Sequence, residues 1–115
     1  MSEQLKHTKL VVLGAGLSGV GAAILAKAKG IDVFVSDQSM LTSNSRDALL
    51  SHNIPFEEGG HTHETILQAT EVVKSPGIPD SAPIIVELKE KDIPVISEIE
   101  FASRYTHAKT ICVTG

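Results

Sequence analysis

The sequence predicts a doubly wound α/β fold: a mostly parallel sheet of five to six strands with helices on both faces. Three observations predict it. Short runs rich in Val and Ile alternate with helical patterns along the whole chain, the order that successive βαβ units require. Those runs are apolar almost throughout rather than at every second residue, as strands covered on both faces are. A glycine-rich turn, Gly14-Ala15-Gly16-Leu17-Ser18-Gly19, joins the first such run to the first helical pattern, where folds of this kind carry a phosphate loop.

Strand signals fall at Lys9–Leu13, Asp32–Ser36, Ile54–Glu57, Glu71–Lys74, Pro94–Ile96 and Thr110–Val113, each bounded by turn residues. The helical segments lie between them. Leu17–Lys29 is Ala-rich and stops at Gly30, a residue suited to the left-handed position after a helix. Asn44–His52 opens on Asn and Ser, both capping residues. Thr62–Ala69 carries Glu64 near its start. Ala82–Lys91 places Pro83 in its first turn and Lys89 and Lys91 near its end, matching the helix dipole. Ser97–Tyr105 begins with Ser97 and has Glu100 three residues on, the spacing of a capping box.

Composition bounds the function. The chain has 115 residues, enough for one domain with a real core. Net charge is −4 and aromatics make up 3 %, which argues against a basic nucleic-acid groove or a base-stacking platform. It leaves an anionic small ligand open, because a helix N-terminus supplies local positive potential. A single cysteine, Cys112, permits no internal disulfide, and its setting in a strand reads as a buried, inert thiol. No apolar run is long enough to span a membrane and the start lacks a secretory pattern, so the expectation is a cytoplasmic protein without membrane contact.

In the glycine loop, Gly14 allows the tight turn out of the strand, Gly16 admits a phosphate close to the backbone, and Gly19 lets the helix pack against the sheet. The free amides of Leu17 and Ser18 then face an anion, with the Ser18 hydroxyl adding a hydrogen bond. Asp37 sits at the tip of the second strand, where an acid accepts from a ribose or base; the bland alternative is a carboxylate capping the turn with Gln38 and Ser39. Ser75-Pro76-Gly77-Ile78-Pro79 forms a rigid turn at the sheet's C-terminal edge, either a ligand wall or a stiff connection. His61 and His63, beside Glu64, lack a third ligand at matching spacing, so a polar surface loop is expected there rather than a metal. Glu100 reads as a cap, and Glu98 stays open between structural and chemical roles.

Together these segments resemble one family, the Mur ligases, in their Rossmann-like N-terminal domain, and within it the D-glutamate-adding type. Leu13–Gly19, Val35-Ser36-Asp37, Val73–Pro79, Ile93–Glu100 and Ile111–Gly115 occur in the family's order. The Lys-Ser-Pro-Gly-Ile-Pro and Ser-Glu-Ile-Glu stretches are the specific ones, and the resemblance covers nearly the whole chain. It implies a three-domain enzyme. The first domain binds the UDP part of UDP-N-acetylmuramoyl-L-alanine, the second ATP with magnesium, and the third D-glutamate. Ligation would proceed through an acyl phosphate in cytoplasmic peptidoglycan precursor synthesis.

On this chain the resemblance gives residues 1–109 as the UDP-substrate domain and 110–115 as the first strand and phosphate-loop start of the ATP domain, with Gly115 the loop's first glycine. It implies UDP contacts at Gly14, Gly16, Leu17, Ser18, Gly19, Asp37, Gln38, Ser75, Pro76 and Gly77. It implies no catalytic residue and no cofactor in this stretch alone, which is expected to bind without catalysing. One departure is His61-Thr62-His63-Glu64, where the family often has a histidine-proline pair. The chain's end two residues past a strand reads as a cut at a domain boundary. Two alternatives remain at this level: an NAD(P)-binding oxidoreductase domain, and a regulatory module that senses a nucleotide.

Overall fold

The computed structural model describes residues 9–105. Five strands form one all-parallel sheet: β1 (Lys9–Leu13), β2 (Asp32–Ser36), β3 (Phe56–Glu57), β4 (Glu71–Lys74) and β5 (Val95–Ser97), in the order β3-β2-β1-β4-β5. The connecting helices are α1 (Leu17–Ala28), α2 (Ser43–Ser51), α3 (His63–Ile66) and α4 (Pro83–Glu90). A fifth, α5, runs over 98–105. This is the doubly wound architecture the sequence predicts. The expected strand Thr110–Val113, with Cys112, and Gly115 lie outside the described residues.

Alternation along each strand sends side chains to two cores. Leu10 and Val12 of β1, Val33 and Val35 of β2 and Val73 of β4 pack with Val20, Ala23 and Ala26 of α1, Leu49 of α2 and Phe101 of α5. Val11, Leu13 and Val72 face the other way, onto Ile66 of α3 and Ile84, Ile85 and Leu88 of α4. Both faces are covered, which is why the strands read as continuous apolar runs. The Tyr105 ring meets Phe101 edge-on, 5.3 Å between centroids, and lies under the Lys29 ammonium at 5.1 Å, so α5 is tied to the end of α1.

Three helices end the same way. After α1, Gly30 (φ +81°) donates to the Lys27 carbonyl and Ile31 to that of Ala26. After α2, Asn53 (φ 58°) donates to Leu50 and Ile54 to Leu49. After α4, Asp92 (φ 59°) donates to Lys89 and Ile93 to Leu88. Each is a Schellman motif: a left-handed residue reverses the chain and the following Ile drops back toward the core. The motif delivers the chain into β2, β3 and β5.

Four boundaries differ from the sequence reading, each for a local reason. Helix α2 is capped by Thr42, whose hydroxyl accepts from the Ser45 amide at 3.2 Å, rather than by the Asn44 and Ser45 side chains. Strand β3 is shortened because Ile54 completes the cap of α2 and Pro55 has no N–H to pair. Helix α3 is one turn only; beyond it, Gln68 and Ala69 bond to carbonyls three residues back, a tighter winding. Strand β5 is shifted to include Ser97, which pairs with Lys74 and also caps α5 by accepting from the Glu100 amide at 3.0 Å.

Candidate functional site

The sheet order reverses direction between β1 and β4, and open parallel sheets bind ligands beyond the C-terminal ends of strands at such a point. A cleft of about 690 Å³ opens there, bounded by Gly14 and Gly16, Asp37 and Gln38, and Ser75 and Gly77. Six of the residues singled out from sequence therefore meet in one place. Leu17, Ser18, Gly19 and Pro76 are placed differently. The Leu17 side chain is 89 % exposed. Gly19 is packed under the loop, and Ser18 and Pro76 border a separate groove of about 430 Å³ between α1 and α5.

The glycine loop is held from every side. The Gly14 amide donates to the Ser36 carbonyl at 2.9 Å, and the Ser75 amide donates to Leu13 at 3.0 Å. The Ala15 amide donates to Asp37 Oδ2 at 2.7 Å, and the Ala15 carbonyl accepts from the Ser45 hydroxyl at 2.9 Å. Gly14 adopts φ +102°, and a Cβ there would stand 2.6 Å from that of Ser75. A Cβ on Gly19 would stand 1.9 Å from the Gly14 carbonyl oxygen, so only glycine fits. A Cβ on Gly16 would meet nothing within 4 Å. Gly16, the middle glycine of the loop, thus faces open space.

Helix α1 starts from Gly16 without a side-chain cap, and Val20 is the first to donate into it, to Gly16 at 2.9 Å. Among the described residues the amides of Leu17, Ser18 and Gly19 take no partner. They carry the positive end of a three-turn helix beside the open position at Gly16.

Asp37 caps the turn after β2, as one of its two sequence readings has it, and also ties down the glycine loop. One oxygen holds the Ala15 amide and the other accepts from the Ser39 amide at 2.8 Å. The carboxylate thus fixes the loop, and each oxygen keeps a lone pair for a ligand. Opposite, Lys74 reaches from β4 to the Ile78 carbonyl at 2.6 Å and brackets the Ser75–Pro79 turn, with Asp80 3.8 Å away. Within the turn the Ile78 amide donates back to the Ser75 carbonyl at 3.1 Å.

The sequence reading missed two titratable cleft residues, His61 and His63, which it placed on a polar surface loop. His63 Nδ1 pairs with Glu87 of α4 at 3.0 Å. His61 Nδ1 lies 2.6 Å from the buried Ser36 hydroxyl, which donates to Glu57 at 2.7 Å. Glu57 also accepts from the Thr62 amide at 2.8 Å and its hydroxyl at 2.6 Å. Partial burial raises the Glu57 carboxyl, but the Thr62 and Ser36 hydrogen bonds outweigh it and hold the pKa below the usual range. Burial lowers His61 below its ordinary 6.5, against the opposing fields of Glu57 and Asp37 and with that of His63. No local pattern signals this network, since its members are 21 and 25 residues apart in sequence. Glu98, at the foot of the groove between α1 and α5, is raised by desolvation.

Comparison with known proteins places this arrangement in context. Residues 8–97 match the family described as Mur ligase MurD-like, N-terminal domain. The chain is 61 % identical over 107 residues to the UDP-N-acetylmuramoylalanine–D-glutamate ligase of Bacteroides thetaiotaomicron, covering 93 % of this chain and 24 % of that protein. It is 55 % identical over 113 residues to the enzyme of the same name from Porphyromonas gingivalis, covering 98 % and 25 %. The chain thus spans about a quarter of the length of these relatives. Among solved structures, a pseudomurein peptide ligase type C from Methanothermus fervidus superposes with a TM-score of 0.71 at 31 % identity, over 85 % of this chain and 20 % of that one. The UDP-N-acetylmuramate-alanine ligase MurC of Thermotoga maritima shares the fold at 20 % identity, with a TM-score of 0.74 over 89 % and 23 %. From its clamped glycine loop to the Ser-Glu-Ile-Glu that opens α5, the chain belongs to the MurD-like N-terminal domain family of the Mur ligases.

Proposed function

We propose that the cleft binds the UDP part of UDP-N-acetylmuramoyl-L-alanine, and that this domain holds that substrate for an ATP-dependent ligase that joins D-glutamate to it. The observation that carries the reading is the pairing of open space at Gly16 with the unpartnered amides that start α1. A diphosphate placed there meets N–H donors and the helix dipole without displacing protein. Asp37 and Gln38, at the tip of β2, line the same cleft, as do Ser75 and Gly77. The relatives' names support uridine diphosphate over a nicotinamide cofactor.

In this reading residues 1–109 form the substrate domain and 110–115 begin the ATP domain, with Gly115 opening its phosphate loop. ATP, Mg²⁺ and D-glutamate are handled by the further sequence that the longer relatives contain, and the reaction belongs to the cytoplasm. The residues described here bind and orient: fixing the nucleotide converts the encounter of its distant carboxylate with ATP into a local event.

The test is thermal stability with ligand. UDP-N-acetylmuramoyl-L-alanine at ~100 times its Kd adds about 2.7 kcal/mol of stability and raises Tm, whereas NAD and NADP leave it unchanged. A shift with NAD and none with uridine nucleotides would overturn the proposal. For the whole protein, phosphate release from ATP that requires both the muramoyl-alanine substrate and D-glutamate tests the ligase activity.

A further inference from the structure

We propose that His61 is a specificity-determining residue of the cleft: its Nε2 accepts a hydrogen bond from a donor on the nucleoside, and the Glu57–Ser36 pair fixes the tautomer that makes this possible. The inference rests on the uridine nucleotide reading and deepens it.

A count of the available protons fixes the tautomer. Glu57 receives the Thr62 amide and hydroxyl, and the same surroundings keep it ionised, so it can only accept. The Ser36 hydroxyl has one proton and gives it to Glu57. With that proton committed, Ser36 Oγ meets His61 Nδ1 at 2.6 Å as an acceptor only. A neutral His61 must therefore carry its proton on Nδ1 and hold a lone pair on Nε2. Among the described residues that nitrogen has no protein partner, and the ring lines the cleft beside Asp37 and Gln38. Ser36 is fully buried and sits at the end of β2, so the relay is anchored in the sheet rather than in a loop.

The donor is an N–H or O–H of the nucleoside, either the imide of the base or a ribose hydroxyl. The charged and titratable groups around His61 are Glu57 on β3, Asp37 after β2 and His63 on α3, the last paired with Glu87 of α4. Burial keeps the ring neutral near pH 8. Protonation at lower pH turns Nε2 into a donor and removes the match.

Three measurements on the 115-residue chain test this. Long-range ¹H–¹⁵N correlation at pH 8 should show His61 protonated on Nδ1, and S36A should release that preference; an Nε2–H tautomer in the wild type overturns the proposal. Calorimetry at pH 8 should show H61F binding UDP about three- to tenfold more weakly, the size of one lost hydrogen bond. That penalty should vanish for one of N3-methyl-UDP, 2′-deoxy-UDP and 3′-deoxy-UDP, which names the donor. A penalty that persists with all three, or none with UDP itself, overturns the inference while leaving uridine nucleotide binding intact. The third measurement uses UDP-N-acetylmuramoyl-L-alanine, whose diphosphate does not titrate here. Its affinity should fall between pH 8 and pH 5 in the wild type and stay flat in H61F; tighter wild-type binding at pH 5 means a cation facing phosphate and overturns it. A wild type that binds no uridine nucleotide removes both this inference and the reading beneath it.

Discussion

Gly16 and Gly19, three positions apart, do opposite jobs, and substitution separates them. Gly19→Ala drives a Cβ into the Gly14 carbonyl, a backbone contact no rotamer relieves. The expected loss is at or above the upper end of the ~1–3 kcal/mol typical of overpacking, read as a lower urea midpoint. Gly16→Ala meets nothing. Its poorer capping and its reduced unfolded-state entropy nearly cancel, so the midpoint stays within ~0.5 kcal/mol of wild type. Affinity for UDP, by contrast, falls at least tenfold if phosphate lies where the methyl goes. Glu98 gives a pH-dependent case. Desolvation raises its carboxyl above the ordinary 4.5, so folding disfavours the charged form. The cost is absent below about pH 4.5 and grows as pH rises through the folded value. Glu98→Gln therefore raises Tm at pH 7, and the gain disappears at pH 4. An equal gain at both values would assign it to packing instead.

At the level of elements, the helix ends are informative. Gly30, Asn53 and Asp92 occupy equivalent left-handed positions, but only Gly30 does so without a Cβ. Gly30→Ala should cost about 1 kcal/mol, and Asn53→Gly and Asp92→Gly should each stabilise by about 0.5 kcal/mol, as read from chemical denaturation. Thr42→Ala removes the cap of α2 and costs about 1 kcal/mol. The sequence announced Gly30 plainly and concealed the other two, because Asn and Asp serve equally in turns, caps and strand ends. The strands of the sheet centre, β1, β2 and β4, were legible to the residue, since burial on both faces leaves long Val and Ile runs. The sheet edges were not. There a proline before the strand, or a Ser shared between strand and cap, sets the boundary, and neither shows in a hydropathy pattern.

For the whole molecule, strand order creates the cleft. Placing β1 at the centre and reversing direction at β4 gathers three loops, far apart in sequence, around one cleft. The glycine loop, Asp37 and the Ser-Pro-Gly turn each carried a local signature, and topology brings them together. His61 carried none, because its role depends on Ser36 and Glu57 of two other elements. A motif is readable when its chemistry lies in consecutive residues; a relay assembled across strands is readable only in three dimensions. The central claim is that uridine diphosphate seats on the amides opening α1. Titrating ¹⁵N-labelled chain with UDP-N-acetylmuramoyl-L-alanine tests it most directly. The account predicts the largest amide shifts at Gly16, Leu17 and Ser18, with smaller ones at Gln38 and Gly77, and none from NAD at the same concentration. Shifts confined to other surfaces, or produced by NAD alone, would contradict it.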